Sequence, residues 1–98
     1  MADQVIHWHP RYWVQKVNTE LNAAHLLSIP RLQPPKLYHP RGSPEWPSWR
    51  FRRIAYEMQG LLVEQNAIAL DDPRNTEIEL AIAALKAEYV RGLGFCFS

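Results

Sequence analysis

Residues 30–47 read PRLQPPKLYHPRGSPEWP and contain six of the chain's eight prolines. Proline lacks an amide donor, fixes its own φ angle and biases the preceding residue toward extended geometry. This stretch therefore cannot form a helix or an inner strand, and we expect polyproline-like or turning backbone. At roughly 3.1 Å per residue it can reach about 55 Å, far enough to wrap its own domain or to contact a partner. We refer to residues 29–47 as the proline-rich arm.

The length and composition of the chain predict one small domain over residues 1–98. An apolar content of 47% predicts a packed core, although a chain of 98 residues has room for only a modest one. Cys96 is the single cysteine, which excludes an intramolecular disulfide and favours a reducing compartment. No apolar run approaches the roughly 20 residues of a membrane span, and the first residues lack a signal-peptide pattern. We therefore expect a soluble, cytoplasmic protein that does not contact a membrane.

Charge divides the chain into two unlike halves. Through Arg53 there are eight Lys or Arg against three Asp or Glu, whereas from Ile54 onward there are three against seven. The basic half also holds all four tryptophans and all four histidines. We interpret the basic half as a contact surface and the acidic half as a scaffold.

Two helices are predicted after the arm, and together they form the scaffold. Apolar residues at three-four spacing predict a helix over 48–70, with Ser48 as its N-cap and a kink or close helix crossing at Gly60. Asp72 caps a second helix that ends at Gly92. Because the connection is so short, the two helices must form an antiparallel hairpin.

The apolar pattern of the second helix predicts which of its residues are buried. Small residues beside that face leave room for the close approach of another helix. The predicted buried face comprises Ile78, Ala81, Ile82, Leu85 and Tyr89, and the small residues are Ala83, Ala84 and Ala87.

The basic half predicts the third layer of the fold. Pro10 opens a helix over residues 10–28, and Trp13 and Val17 lie on the face that meets the hairpin. Residues 4–8 alternate enough for a short extended segment. The predicted fold is therefore mainly α: a three-helix unit made of one helix, the long irregular arm and the C-terminal antiparallel hairpin.

Motifs for catalysis and for cofactors are absent from the sequence. It contains no glycine-rich phosphate loop, nucleophile elbow or His-Glu metal motif. His7 and His9 share one side of an extended segment, but no second ligand pair accompanies them. The only strict PxxP runs from Pro44 to Pro47, so an arm packed on its own domain is favoured over a ligand of SH3 or WW domains. We expect no enzyme, no cofactor and no metal.

The aromatic, basic half of the chain predicts a protein that functions by binding another protein. We expect an assembly component, adaptor or inhibitor that docks on a larger protein or multi-subunit assembly. A homo-oligomer in which the hairpins pair with each other is the structural alternative. Because interface hot spots favour Trp, Tyr and Arg, the predicted anchors are Trp8, Trp13, Tyr38, Trp46, Trp49 and Arg50.

Nucleic-acid binding is the second functional hypothesis. Trp49 to Arg53 and His7 to Trp13 combine cations with flat rings, as proteins that bind single strands do. The competing interpretation is an ordinary basic helix face whose aromatic residues turn inward. Under the nucleic-acid hypothesis the contacts are Arg11, Lys16, Arg50, Arg52 and Arg53.

Overall fold

The computed structural model describes residues 10–93 and contains four helices within that range. They are α1 (Pro10–Glu20), α2 (Ala23–Ser28), α3 (Trp46–Ala67) and α4 (Arg74–Leu93). The protein is mainly α, as predicted, and α3 and α4 pack together as the predicted C-terminal pair. The predicted extended segment at residues 4–8 and the residue Cys96 lie outside the described range.

The single helix predicted for residues 10–28 is wrong, because Asn22 divides it into α1 and α2. The backbone of Asn22 is extended, with φ −100° and ψ 158°. Its Nδ2 donates to the carbonyl oxygens of Asn18 (3.1 Å) and Thr19 (2.7 Å), which closes the end of α1. Its Oδ1 accepts from the amide of His25 at 2.8 Å, which caps the start of α2. One side chain thus satisfies two helix ends, and this outweighs the continuing apolar pattern.

The boundaries of the hairpin helices differ from the prediction at two points. Ser48 is not the N-cap of α3, because the helix already begins at Trp46 and holds Pro47 in its first turn. Proline is tolerated there since first-turn amides have no partner within the helix. Asp72 does cap α4, accepting from the amide of Arg74 at 2.8 Å. Gly92 does not end α4, which continues through Leu93.

Polar side chains fix the turn between α3 and α4. Asn75 Nδ2 donates to the carbonyl oxygens of Ala69 (2.7 Å) and Asp72 (3.2 Å). The Arg74 guanidinium donates to both carboxylate oxygens of Glu64, at 2.8 and 3.1 Å. These hydrogen bonds lower the pKa of Glu64 and raise that of Arg74. The turn therefore fixes the positions of α3 and α4 relative to each other, at the end of the hairpin opposite Trp46 and Tyr89.

Four rings from three helices form the centre of the core, and we call them the aromatic cluster: Trp13, Trp46, Phe51 and Tyr89. Trp46 stacks on Tyr89 with a centroid distance of 5.9 Å and an interplanar angle of 14°. Trp13 lies 6.0 Å from Phe51 and 6.2 Å from Tyr89. The predicted contact of Trp13 with the hairpin is therefore confirmed. The Tyr89 hydroxyl donates to the Pro47 carbonyl at 3.2 Å, so this buried phenol has a partner.

The predicted buried face of α4 is confirmed at its two ends, where Ile78 and Tyr89 are fully buried. The three alanines expected to admit another helix are instead exposed, so no described helix packs on them. Those exposed alanines are Ala83, Ala84 and Ala87. At Gly60 the prediction of a close helix crossing is also wrong, because the neighbouring group is the Arg31 guanidinium of the arm.

Candidate protein-contact surface

The proline-rich arm runs back along α3, antiparallel to it. Near the middle of α3 the arm is bonded to Gln59, and farther along the arm Tyr38 contacts Trp49 edge-to-face, with a centroid distance of 5.0 Å. Arg41 then lies over the Trp46 ring at 5.5 Å. Residues 30–45 contain neither helix nor strand, as predicted. The prediction is wrong for Trp46 and Pro47, which form the first turn of α3, so the irregular part of the arm ends at Glu45. The arm therefore packs on its own domain.

Gln59 holds the beginning of the arm. Its Nε2 donates to the carbonyl oxygens of Leu26, Ile29 and Pro30 at 3.0, 3.3 and 3.0 Å. Its Oε1 accepts from the amide of Leu32 at 2.8 Å and from Arg31 Nη1 at 3.1 Å. The side chain is only 2% exposed. A buried amide with every polar atom bonded fixes a chain path well, because each orphaned partner would be costly.

Our sequence reasoning missed Gln59, although a signal was present. This residue follows Ala55 by four positions and precedes Leu62 by three, so it falls on the apolar face of α3. A polar side chain on such a face needs a buried partner. The sequence does not show that the partner is the backbone of a segment about 30 residues earlier.

The middle of the arm presents apolar groups to solvent beside cations. Leu37 is 73% exposed and Tyr38 is 70% exposed. Lys36 and Arg41 flank them and are also exposed. We call these four residues the arm patch. Residues 21–44 contain Arg31, Lys36 and Arg41 but no Asp or Glu, so this segment carries a net positive charge.

The structure separates the predicted partner anchors into buried and exposed residues. Trp13, Trp46 and Trp49 are 1%, 5% and 8% exposed, and all three belong to the core. A partner could contact these rings only if the core opened. Tyr38 is the predicted anchor that lies largely in solvent, whereas Trp8 lies outside the described residues.

Most of the predicted nucleic-acid contacts are paired with carboxylates. Lys16 pairs with Glu20 at 3.2 Å, and Arg53 pairs with Glu57 at 2.9 Å. Arg50, also a predicted partner anchor, donates to Glu88 at 2.6 Å.

The remaining predicted contacts, Arg11 and Arg52, are exposed. The rings of Trp49 and Phe51 are buried, so neither offers a face on which a base could stack. The combination of cations and rings that motivated the nucleic-acid hypothesis is therefore not assembled on one surface.

Comparison of the chain with protein-family models, curated proteins and solved structures finds no match. Between residues 10 and 93, no three His, Cys, Asp or Glu side chains are grouped as metal ligands would be. His7 and His9 lie outside that range. In the same part of the chain, no helix has both the length and the apolarity of a membrane span.

Proposed function

We propose that this protein is a non-enzymatic interaction protein, a small assembly component, adaptor or inhibitor that docks on a larger protein through the arm patch. The observation that carries the proposal is the exposure of Leu37 and Tyr38 on a segment whose path is fixed. Adjacent large apolar side chains in solvent with a polar rim are typical of contact sites, and tyrosine is enriched among interface hot spots. Because the arm is already ordered, less conformational entropy is lost when a partner binds.

The charge of the arm indicates what kind of partner surface it contacts. Arg31, Lys36 and Arg41 are not accompanied by any carboxylate within residues 21–44. A partner with an apolar pocket and an acidic rim complements this pattern. Such a rim increases the association rate at low salt and excludes basic competitors. We therefore expect association to slow as ionic strength rises.

The proposal is tested by comparing three immobilised proteins in nuclease-treated native lysate. They are the unmodified chain, a Leu37→Ser/Tyr38→Ser variant and a control Leu80→Ser variant. Leu80 is 66% exposed on α4 and lies outside the arm, so the control removes an equally exposed apolar side chain elsewhere. We expect the unmodified chain and the control variant to retain at least one protein in common. The amount of that protein retained by the arm variant should be lower by about tenfold or more.

Direct contact is then tested with a photo-crosslinking amino acid in place of Leu37, and with the same group in place of Leu80. We expect the retained protein to crosslink from position 37 and not from position 80. Equal retention by all three proteins, or crosslinking from position 80 alone, contradicts the proposal. Retention that is seen only in a parallel lysate without nuclease treatment favours the nucleic-acid hypothesis instead.

A further inference from the structure

A groove lies beside the arm, between α2 and the arm's beginning on one side and α3 on the other. Its volume is about 180 Å³. Its floor is apolar and comprises Leu26, Ile29, Leu32, Phe51 and Ala55, and its rim comprises Glu20, His25, Gln33 and Arg52. An apolar cavity of about 150 Å³ accommodates benzene, so this groove has room for one aromatic or branched apolar side chain.

The walls of the groove are held in place before anything binds. Gln59 bonds the carbonyl oxygens of Leu26 and Ile29 and the amide of Leu32, so three floor residues are fixed by one buried side chain. Phe51 belongs to the core and is itself only 5% exposed. A preformed apolar site loses little entropy on binding and is therefore suited to a single anchoring side chain.

One cation on the rim of the groove, Arg52, has no side-chain partner among the described residues. Arg52 is exposed, and its side chain forms no ion pair or hydrogen bond with any residue between 10 and 93. The carboxylate on the rim, Glu20, is already neutralised by Lys16 at 3.2 Å. The rim therefore favours an anion, and a guanidinium binds a carboxylate through two parallel hydrogen bonds.

We infer that this groove binds an acidic segment of the partner protein, inserting one large apolar side chain while a carboxylate nearby in that segment pairs with Arg52. The inference rests on the proposed function and specifies the partner's chemistry. The apolar floor selects the anchoring side chain, and Arg52 with the net positive charge of residues 21–44 selects its acidic neighbours.

The test uses a synthetic pentapeptide, acetylated and amidated, of sequence Glu-Asp-Phe-Asp-Glu. It is titrated into the isotopically labelled full chain and followed by NMR. We expect shifts at the amides of Leu26, Leu32 and Ala55 and at the Arg52 side chain. Two control peptides replace Phe with Ser, or the four acidic residues with Lys. Equal shifts with either control contradict the inference, because they would show binding without the apolar anchor or without the charge.

Two neighbouring arginines provide matched variants. Arg52→Gln removes the cation that no other described side chain pairs with, and we expect peptide affinity to fall about tenfold, in line with one charge-assisted hydrogen-bond pair. Arg53→Gln removes a cation that pairs with Glu57, and we expect affinity within about twofold of the unmodified chain. Equal losses in the two variants would indicate general charge attraction and overturn the assignment of Arg52.

The same variants separate this inference from the proposed function. If the partner protein is lost with Leu37→Ser/Tyr38→Ser but retained by Arg52→Gln, and the peptide leaves the groove unshifted, the inference fails and the arm patch stands. If the peptide binds the groove but the arm variant retains the partner, the arm patch fails and the groove stands.

Discussion

The aromatic cluster and the arm patch use similar side chains in opposite ways. In the cluster, Trp46 stacks on Tyr89 and both rings are buried. In the patch, Tyr38 touches Trp49 with one edge and leaves most of its surface in solvent. The role of an aromatic side chain in this protein is therefore set by its position relative to the surface of α3, and not by its residue type.

The two regions are also held by different forces. The cluster is held by contact between rings from α1, α3 and α4, so its loss removes the packing that joins three helices. The beginning of the arm is held by the hydrogen bonds of Gln59. We therefore expect damage to the cluster to lower global stability, and damage at Gln59 to release the arm locally as well.

The largest expected effect is that of Trp46→Ala. Truncating a buried aromatic residue costs about 3–5 kcal/mol, because transfer free energy is lost and a cavity remains. Tyr38→Ala in the arm is the control, and we expect less than about 1 kcal/mol because that ring is mostly exposed. Urea unfolding followed by circular dichroism measures both free energies. Equal losses would remove the distinction between the cluster and the patch.

Gln59→Glu tests the arm with an almost isosteric change. The carboxylate keeps an acceptor for Leu32 and Arg31 but loses the donor that bonds three carbonyl oxygens. We expect a loss of about 2–3 kcal/mol, together with faster amide exchange at Leu32 and faster proteolysis within the arm.

Gln65→Glu on the same helix is the matched control, because no hydrogen bond joins its side chain to another described residue. We expect little change in either exchange or stability there. An arm that remains protected in Gln59→Glu would show that the hydrogen bonds of this side chain do not fix its path.

Alanine substitutions at two helical glycines are expected to change stability by smaller amounts and in opposite directions. A Cβ at Gly92 would overlap Trp46 Cη2 and lie 3.0 Å from Cζ2, so Gly92→Ala forces the indole out of its stack. We expect a loss of about 1–3 kcal/mol. A Cβ at Gly60 meets only the Arg31 guanidinium nitrogens, at 3.8 and 3.9 Å. Gly60→Ala should therefore gain about 0.5–1 kcal/mol of helix stability. Melting temperatures of the two variants should move in opposite directions.

The same residues show what the sequence could predict about the fold. The hairpin was predictable because apolar spacing, Asp72 and Pro73 act within a few residues of one another. Gly92 was predicted to stop α4, but its absent Cβ instead accommodates Trp46, a contact made across 46 positions. The break at Asn22 was missed because apolar Leu21 and Ala24 continue the helical spacing on both sides of it. Local sequence signals predicted the structure where neighbouring residues determine it. They failed where a contact between residues far apart in the sequence determines it.

The candidate surface was less predictable than the fold for a related reason. One basic, proline-rich stretch contains Tyr38, Trp46 and Trp49, and its composition gives the same prediction for all three. They were assigned as anchors together, whereas the structure buries two of them and exposes the third. Helical spacing within α3 does indicate that Phe51 is buried, as the structure has it, but no periodicity operates in the irregular arm. The exposure of Leu37 and Tyr38 depends on where the arm crosses α3, which only the folded chain defines.

The last expected effect, alkaline destabilisation through Tyr89, is absent at neutral pH and develops only near and above pH 10. Burial raises the pKa of Tyr89 well above the usual value, and the nearby Tyr12 raises it further. Because the unfolded chain ionises first, near pH 10, this contribution to stability is complete below that pH and is lost as the pH rises through the folded pKa. The expected slope is about 1.4 kcal/mol per pH unit above 10.

The variant Tyr89→Phe isolates this slope. It loses the hydrogen bond to Pro47 at every pH, so its stability is lower at pH 9, but it should lose less between pH 10 and 11 than the unmodified chain. Tyr38→Phe in the arm should keep the full slope, because that substitution leaves the buried Tyr89 phenol in place. Urea unfolding at pH 9, 10 and 11 measures the three curves. Parallel curves for Tyr89→Phe and the unmodified chain would mean that Tyr89 is accessible to water, and that the aromatic cluster is as open as the arm patch.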